Sequence, residues 1–382
     1  MRICLYTETA LPTLGGQEMV VDALARQFLA LGHEPMVLAP PPKRLRLADH
    51  EYPYPVIRHP RFVSTRRFVS WYTHWLWQLY RTRGFDVLHC HSVYPTGYLA
   101  ALTRDRLNVP IVVTSHGGDV REGNCRLAKP GLPERHRMGI AGADALIAIS
   151  QVTRAGFLRL CPEAANIVSI PNGVDLEPFA KAAARPHALD ARIRPGAFML
   201  YLGRLRHQKG VDLLLDAMTM IDSGFDTQLV VAGDGVERPA LEAQAARLKL
   251  NDRVTFLGAV TGTIKTWLLQ NAQFLVIPSR LAEGFGLVVT ESYAAGRPVI
   301  GTAIPGLVEL VTNGQNGMLV DPESPAQLAA AMTALLADPA LARSYGENAR
   351  RLAPGFSWTA VADRHIALYE QLREMRWARR AA

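Results

Sequence analysis

The sequence has no long apolar run. None of its uncharged apolar stretches reaches the roughly 18 residues that a membrane-spanning helix needs, and the opening M-R-I-C-L-Y-T-E-T meets Glu8 before a signal-peptide core accumulates. A soluble, cytoplasmic chain is expected, at most peripheral on the inner face of the cytoplasmic membrane. Cysteine is scarce: Cys4, Cys90, Cys125 and Cys161 are scattered without Cys-x-x-Cys spacing, so neither a zinc site nor a disulfide framework is indicated, and the thiols read as reduced and mostly structural. No Gly-x-Gly-x-x-Gly opens either half, which argues against a dinucleotide-dependent dehydrogenase. No Asp-x-Asp pair is present to hold a divalent metal. A pI near 9.5 prompts the thought of a nucleic-acid-binding module. No recognition motif for nucleic acid occurs, however, and the charge is not concentrated in an aromatic-interleaved stripe, so no nucleic-acid partner is expected.

What is present is enough for two cores. At 382 residues, 49% of them hydrophobic, the chain exceeds what one core usually supports. Residues 1–186 carry 22 Lys and Arg against 15 Asp and Glu, a balance of +7, while residues 187–360 carry 15 against 16. The basic excess belongs to the first half. It is either a solvated surface or the mark of an anionic partner for that half: a phosphorylated substrate, an anionic membrane surface or a nucleic acid.

Short apolar runs alternate with helical patterns. In the first half R-I-C-L-Y-T precedes a helix from about Glu18 to Leu31, closed by Gly32, and E-P-M-V-L-A-P, D-V-L-H-C-H, P-I-V-V-T-S-H and D-A-L-I-A-I-S follow. Runs of four to six apolar residues separated by helices are the mark of parallel strands buried on both faces, as in a doubly wound α/β domain. The segment from Pro178 to Pro195, with three prolines and six alanines, reads as a linker. A second series then repeats the pattern: F-M-L-Y-L-G, T-Q-L-V-V-A-G, R-V-T-F-L-G, F-L-V-I-P-S, P-V-I-G-T and G-M-L-V-D. Two such domains, 1–186 and 187–357, are expected to face a central cleft at the carboxyl ends of their strands. A closing helix, 358–382, is expected to pack back on the first domain, although pattern alone names no partner.

The stretch E-G-F-G-L-V-V-T-E at 283–291 places two carboxylates around a glycine turn between a strand and a helix. Glycine lets backbone approach a ligand closely, and the free N–H groups of a helix start attract anions. Glu283 before the turn and Glu291 one turn into the helix suit hydrogen bonds to a polyol. Equally, glutamates are common in a helix's first turn. G-R-L-R-H-Q-K-G at 203–210 follows a strand and offers Arg204 and Lys209, spaced to bracket a diphosphate, although each cation alone reads equally as part of a solvated loop. H-G-G-D at 116–119 and G-G-Q-E at 15–18 follow strands of the first half. Each has a plain structural reading as a turn, but neutral His116 also suits a sugar hydroxyl.

Taken in order, G-R-L-x-x-x-K-G, V-V-A-G-D-G, V-T-F-L-G, E-G-F-G-L-V-V-T-E-S-Y-A-A-G-R-P-V-I-G-T and N-G-x-N-G-M-L-V-D-P resemble the group 1 retaining glycosyltransferases of GT-B fold. H-x-H at 89–91, S-H-G-G-D, P-N-G-V-D at 171–175 and the closing F-S-W extend the resemblance nearly end to end. It implies a nucleotide diphosphate sugar as donor, held mainly by the second domain, and an acceptor approaching from the first. By resemblance Glu291 holds the ribose, Glu283 a hydroxyl of the donor sugar, and Gly284, Phe285, Gly286 and Leu287 lie against sugar and diphosphate. Arg204 and Lys209 neutralise the diphosphate in place of a metal, His116 touches the sugar, and Gly16 lies near the phosphates or the acceptor. The set Glu283, His116, Arg204 and Lys209 is the expected catalytic group, with no cofactor and no divalent metal required. Retention by front-face attack is the family's expectation, and the resemblance makes Glu283 a binding residue rather than a nucleophile. An epimerase or a phosphorylase of the same architecture is the alternative. An acceptor glycan, lipid-linked saccharide or other hydroxyl acceptor, with a cell-envelope glycan the first expectation, completes the partners.

Residues 61–83 stand apart. Phe68, Trp71, Tyr72, Trp75, Leu76 and Leu79 form one stripe at helical spacing, with Trp77 off it among Arg61, Arg66, Arg67, Arg81 and Arg83. The stretch is either a helix packed on the first sheet or one that docks an anionic bilayer or a lipid-linked pyrophosphate acceptor.

Overall fold

The computed structural model describes residues 1–11, 15–41, 51–63 and 65–381. Two compact units emerge: Met1–Gly173 together with the segment from Trp358 onward, and Val174–Ser357. Among the described residues the first unit contains seven strands, β1 (Arg2–Tyr6), β2 (Glu34–Ala39), β3 (Val56–Arg58), β4 (Val87–Cys90), β5 (Ile111–Ser115), β6 (Ala145–Ala148) and β7 (Ile167–Ser169). They are all parallel, in the spatial order 3-2-1-4-5-6-7. Helices α1 (Gly16–Ala30), α2 (Arg66–Arg83), α3 (Tyr98–Thr103), α4 (Leu132–Ala141) and α5 (Gln151–Leu160) lie in the connections.

The continuous apolar runs follow from burial of both sheet faces. In β1, Cys4 and Tyr6 enter one core with Leu88, Cys90 and Val113, while Ile3 and Leu5 enter another with Val112 and Ile147. The three-residue edge strands β3 and β7 are absent from the pattern reading, because a half-buried run of three residues has no periodicity to detect.

The second unit repeats the plan with β8 (Phe198–Leu202), β9 (Gln228–Ala232), β10 (Val254–Gly258), β11 (Leu275–Ile277), β12 (Val299–Thr302) and β13 (Gly317–Val320), parallel in the order 10-9-8-11-12-13. Its helices are α6 (Val211–Met218), α7 (Arg238–Arg247), α8 (Gly262–Asn271), α9 (Leu287–Ala294), α10 (Pro325–Ala337) and α11 (Pro339–Leu352). In each sheet the winding reverses once, between β1 and β4 and between β8 and β11. Ligands of open α/β sheets bind at the carboxyl ends of strands at such a reversal. The segment 203–210 leaves β8 and the segment 278–286 leaves β11, so both candidate loops of the second unit emerge there.

One reading is corrected by packing and another is refined by it. The stretch 178–195 is not a free linker: Leu189 and Ile193 are buried, the Ala183 N–H donates to Gln270 Oε1 (2.7 Å), and Gln270 Nε2 donates to the Lys181 carbonyl (2.7 Å). Its backbone polar groups thereby find partners on α8. The α2 stripe packs on the first core through Tyr72 and Leu76, with Trp75 and Leu79 partly buried beside them. Only Tyr72 and Leu76 are fully covered, and Phe68 and Trp71 remain exposed. Finally α12 (Trp358–Ala381) lies on α1, where Val361, Ala362, Leu368 and Tyr369 join Val20, Leu24 and Phe28 in the core.

Candidate active site

The second unit gathers Arg204, Lys209, Glu283, Gly284, Phe285, Gly286, Leu287 and Glu291 around the starts of α6 and α9. Gly286 takes the left-handed conformation (φ 82°) as the cap of α9, a geometry that costs a side-chain-bearing residue about 1–2 kcal/mol. The helix then runs L-V-V-T-E-S-Y-A despite its β-branched residues, because Val289, Thr290, Ser292 and Tyr293 are all buried and packing overrides propensity. Tyr293 anchors it by donating to the Leu310 carbonyl at 2.7 Å. Phe285 is buried against Phe356, leaving the backbone of the turn rather than this ring for a ligand.

Lys209 and Glu283 meet directly. Lys209 Nζ lies 2.5 Å from Glu283 Oε1, which also accepts from Ser279 Oγ at 2.6 Å, and the two side chains are 22% and 16% exposed. The Glu283 N–H donates to the Pro305 carbonyl at 3.0 Å, fixing the backbone before the turn. Glu291 pairs instead with Lys265 on α8, at 2.6 Å. Two carboxylate–ammonium pairs thus flank the α9 start, one in the loop before it and one within it. Sequence reasoning missed Ser279 and Lys265. Lys265 is 26 residues from its partner, and only the packing of α8 beside α9 joins them.

Arg280 ties the two loops together. It donates to both oxygens of Asp212 (2.7 and 2.6 Å) and to the His207 carbonyl (2.8 Å), while its own N–H donates to the Gln208 carbonyl. Burial raises the Asp212 pKa, but the hydrogen bonds and charge of Arg280 outweigh it and hold that carboxyl below its usual range. Arg204 is exposed, and its carbonyl accepts from Tyr201 Oη at 3.0 Å. Burial first, and the Glu283 charge second, push the Tyr201 phenol up, so it remains a donor.

The other two candidates, His116 and Gly16, belong to the first unit. Gly16 opens α1, whose Gln17 side chain donates to Thr7 Oγ1 at 2.8 Å. His116 follows β5 in a loop held by Asp119, which accepts from Ser115 Oγ (2.5 Å) and from the Val93 N–H (2.6 Å). His116 Nε2 is hydrogen-bonded to His91 Nδ1 at 3.1 Å, with the two rings stacked. Behind them His89 bridges Thr114 Oγ1 and Tyr369 Oη, both at 2.7 Å. Burial holds His89 and His91 well below the usual imidazole range, and it lowers His116 to about 4 with help from the charge of His365. His116 is therefore neutral at pH 7. The role of His91 went unread, although the H-x-H alternation from His89 in β4 to His91 just past its end puts both rings on one face.

Among the described residues no group of three His, Cys, Asp or Glu is arranged to hold a metal ion, and no helix is long and apolar enough to cross a membrane. Cys4, Cys90 and Cys161 are buried, free thiols and Cys125 is exposed.

Two parallel sheets, each with a strand-order reversal, and two carboxylate–ammonium pairs around a glycine-capped helix start define a doubly wound α/β protein. The known proteins it resembles are of one kind. Residues 192–352 match the model for glycosyl transferases group 1 and residues 14–178 that for glycosyltransferase family 4. A phosphatidyl-myo-inositol mannosyltransferase of Mycobacterium tuberculosis is 30% identical over 387 residues, covering 97% of each chain. A D-inositol 3-phosphate glycosyltransferase of Salinispora arenicola is 32% identical over 310 residues, covering 75% of this chain and 68% of the relative. In structure, sucrose-phosphate synthase of Thermosynechococcus elongatus superposes with a TM-score of 0.76 at 25% identity, over 97% of this chain and 98% of the other. HepE of Anabaena shares the fold with a TM-score of 0.77 at 21% identity, over 97% and 100% of the two chains. The chain belongs to the group 1 glycosyltransferase family, of GT-B fold. It is a glycosyltransferase, which displaces the epimerase, phosphorylase and nucleic-acid alternatives.

Proposed function

We propose that this glycosyltransferase moves a sugar, with retention of configuration, from a UDP- or GDP-sugar to a hydroxyl of a cell-envelope glycan or lipid-linked saccharide, without a divalent metal or other cofactor. The observation that carries the reading is the pair of ion pairs, Lys209–Glu283 and Lys265–Glu291, flanking the Gly286 helix start. Glu291 accepts from the ribose hydroxyls and Glu283 from a hydroxyl of the donor sugar. The lysines hold each carboxylate in place, and Lys209 with Arg204 turns to the diphosphate when the donor arrives. As the bond from the anomeric carbon to the phosphate oxygen breaks, its electron pair leaves with the diphosphate. Lys209, Arg204 and the N–H groups at the start of α9 stabilise that developing charge. The acceptor hydroxyl attacks the same face and gives its proton to the departing phosphate oxygen. On the first unit, neutral His116, oriented by His91, presents a ring to the sugar, and Gly16 lies at the phosphates or the acceptor.

A lipid-linked acceptor agrees with two observations: the mycobacterial relative is named a phosphatidyl-myo-inositol mannosyltransferase, and α2 leaves Phe68 and Trp71 exposed beside Arg66 and Arg67. Exposed aromatics with basic neighbours suit an anionic bilayer.

The deciding experiment is the shift in melting temperature, in chelator, on adding UDP, GDP, ADP and their common sugar conjugates singly. A ligand that binds only the native state must raise it. One nucleotide is expected to give a shift that disappears in Glu291→Ala. The absence of any shift at millimolar ligand would remove the donor site as described.

A further inference from the structure

The first sheet also has a concave edge away from its candidate loops. At its amino ends, where β1, β4 and β5 begin, lies an open cavity of about 390 Å³. Its lining comes from four distant segments of chain: the start of β1, the end of α2 with the turn into β4, the turn into β5, and the last turns of α12. His91 and His116 follow the other ends of β4 and β5, roughly 15 Å away at about 3.3 Å per strand residue. The cavity is therefore separate from the candidate catalytic loops of this unit.

Its charge is one-sided. Arg2, Arg81, Arg373 and Arg376 line it against the single carboxylate of Asp86. Asp86 is already occupied, accepting from the Arg2 N–H at 2.7 Å, and the Arg373 guanidinium stands off at 3.8 Å. Arg376 leans on the Leu107 carbonyl (3.0 Å) and lies 3.6 Å from Asp144, which Arg104 also engages. The Arg81 guanidinium is set over the Trp77 ring, 5.4 Å from its centroid, a weak contact that leaves its full positive charge at the cavity wall. Beside these cations Trp377 exposes 75% of its surface, an unusual cost for the largest apolar ring unless something covers it.

We propose that this cavity is a second anion site, taking the phosphate group of a phosphate ester whose organic part lies on Trp377. Guanidinium forks match phosphate oxygens bidentately, and four of them facing one carboxylate suit a multiply charged anion. The volume sits at the small end of ligand-binding clefts, larger than a lone phosphate fills. The same chemistry is offered by a free phosphate ester and by the headgroup of an anionic lipid, and this site is independent of the donor assignment above.

The test is a calorimetric titration of the full-length protein with inorganic pyrophosphate at low salt, alongside flotation with phosphatidylcholine vesicles with and without phosphatidic acid. Because pyrophosphate also suits the donor loops, the wild type is compared with Arg373→Gln, Arg81→Gln and Lys209→Ala. A pyrophosphate-binding component that Arg373→Gln and Arg81→Gln each weaken at least tenfold, that Lys209→Ala leaves intact, and that changes tryptophan fluorescence except in Trp377→Phe supports a site for a free phosphate ester. Flotation dependent on phosphatidic acid, lost in Arg373→Gln but kept in Trp71→Ser, supports the lipid headgroup. Pyrophosphate binding and flotation both indifferent to Arg373→Gln and Arg81→Gln overturn the proposal, whatever becomes of the donor site.

Discussion

Lys209 carries two duties that a single substitution can separate. Its ammonium closes the ion pair with Glu283 and, in the proposed mechanism, supplies half of the side-chain charge facing the leaving diphosphate. Losing one donor to a developing oxyanion typically costs about 3–4 kcal/mol of barrier. Lys209→Ala is therefore expected to lower kcat by about 100- to 1000-fold in steady-state assays with each donor, while the melting temperature moves by only a few degrees, since the pair is partly exposed. An unchanged kcat would remove Lys209 from the chemistry. His365 acts through pH instead. Burial holds it down to about 4, against about 6.5 in an unfolded chain, and outweighs the opposing hydrogen bond from Nδ1 to the Val361 carbonyl at 2.8 Å. The unfolded chain thus binds its proton more tightly. The stability from this residue is full above pH 6.5 and is lost as pH falls toward 4, by about 3 kcal/mol in all. His116 adds a change of the same sign. Calorimetry between pH 7 and 4.5 should show the melting temperature falling, and His365→Gln should flatten the fall while lowering the value at pH 7.

At the scale of elements, α2 departs furthest from its pattern. Six apolar residues at helical spacing promise one buried face, yet only Tyr72 and Leu76 are fully buried; Trp75 and Leu79 pack against the core half-covered, Phe68 and Trp71 are left exposed, and Trp71 stacks on Trp75. Trp77, off that stripe, is bracketed by Arg81 and Arg106 at 5.4 and 5.7 Å. Periodicity reports where apolar residues lie around a helix but not how much of that face its neighbours cover. If the uncovered part meets an anionic bilayer, flotation with phosphatidylglycerol vesicles should exceed that with phosphatidylcholine alone, and Trp71→Ser with Phe68→Ser should abolish the difference. Equal flotation on both compositions would return α2 to a purely structural role. The α9 start shows the opposite case: its glycine turn, helix and two glutamates were all readable, because a strand-to-helix turn needs its special residues in a fixed local order.

On the whole-molecule scale, the first unit is discontinuous. Its core is completed by α12, which arrives after the entire second unit. Val361, Leu368 and Tyr369 are buried there, and Tyr369 is also hydrogen-bonded to His89. At about 1.5–3 kcal/mol for each large apolar side chain, losing all three costs roughly 5–9 kcal/mol, comparable with the 5–15 kcal/mol that holds a domain together. Deletion of residues 358–382 is expected to leave the first unit unfolded or aggregated, seen as loss of its cooperative transition in calorimetry. Survival of two transitions would show that α12 is dispensable.

The sequence by itself determined the alternation of strands and helices, the doubling of the α/β plan, the family and the loops that carry the candidate site, since each depends on local periodicity or on residues adjacent in the chain. Edge strands of three residues, the pinning of residues 178–195 on α8, the pairing of Lys265 with Glu291 and the histidine array behind His116 were decided only by tertiary structure. Each joins groups far apart in sequence, and its energy comes from burial and contact that no local pattern records.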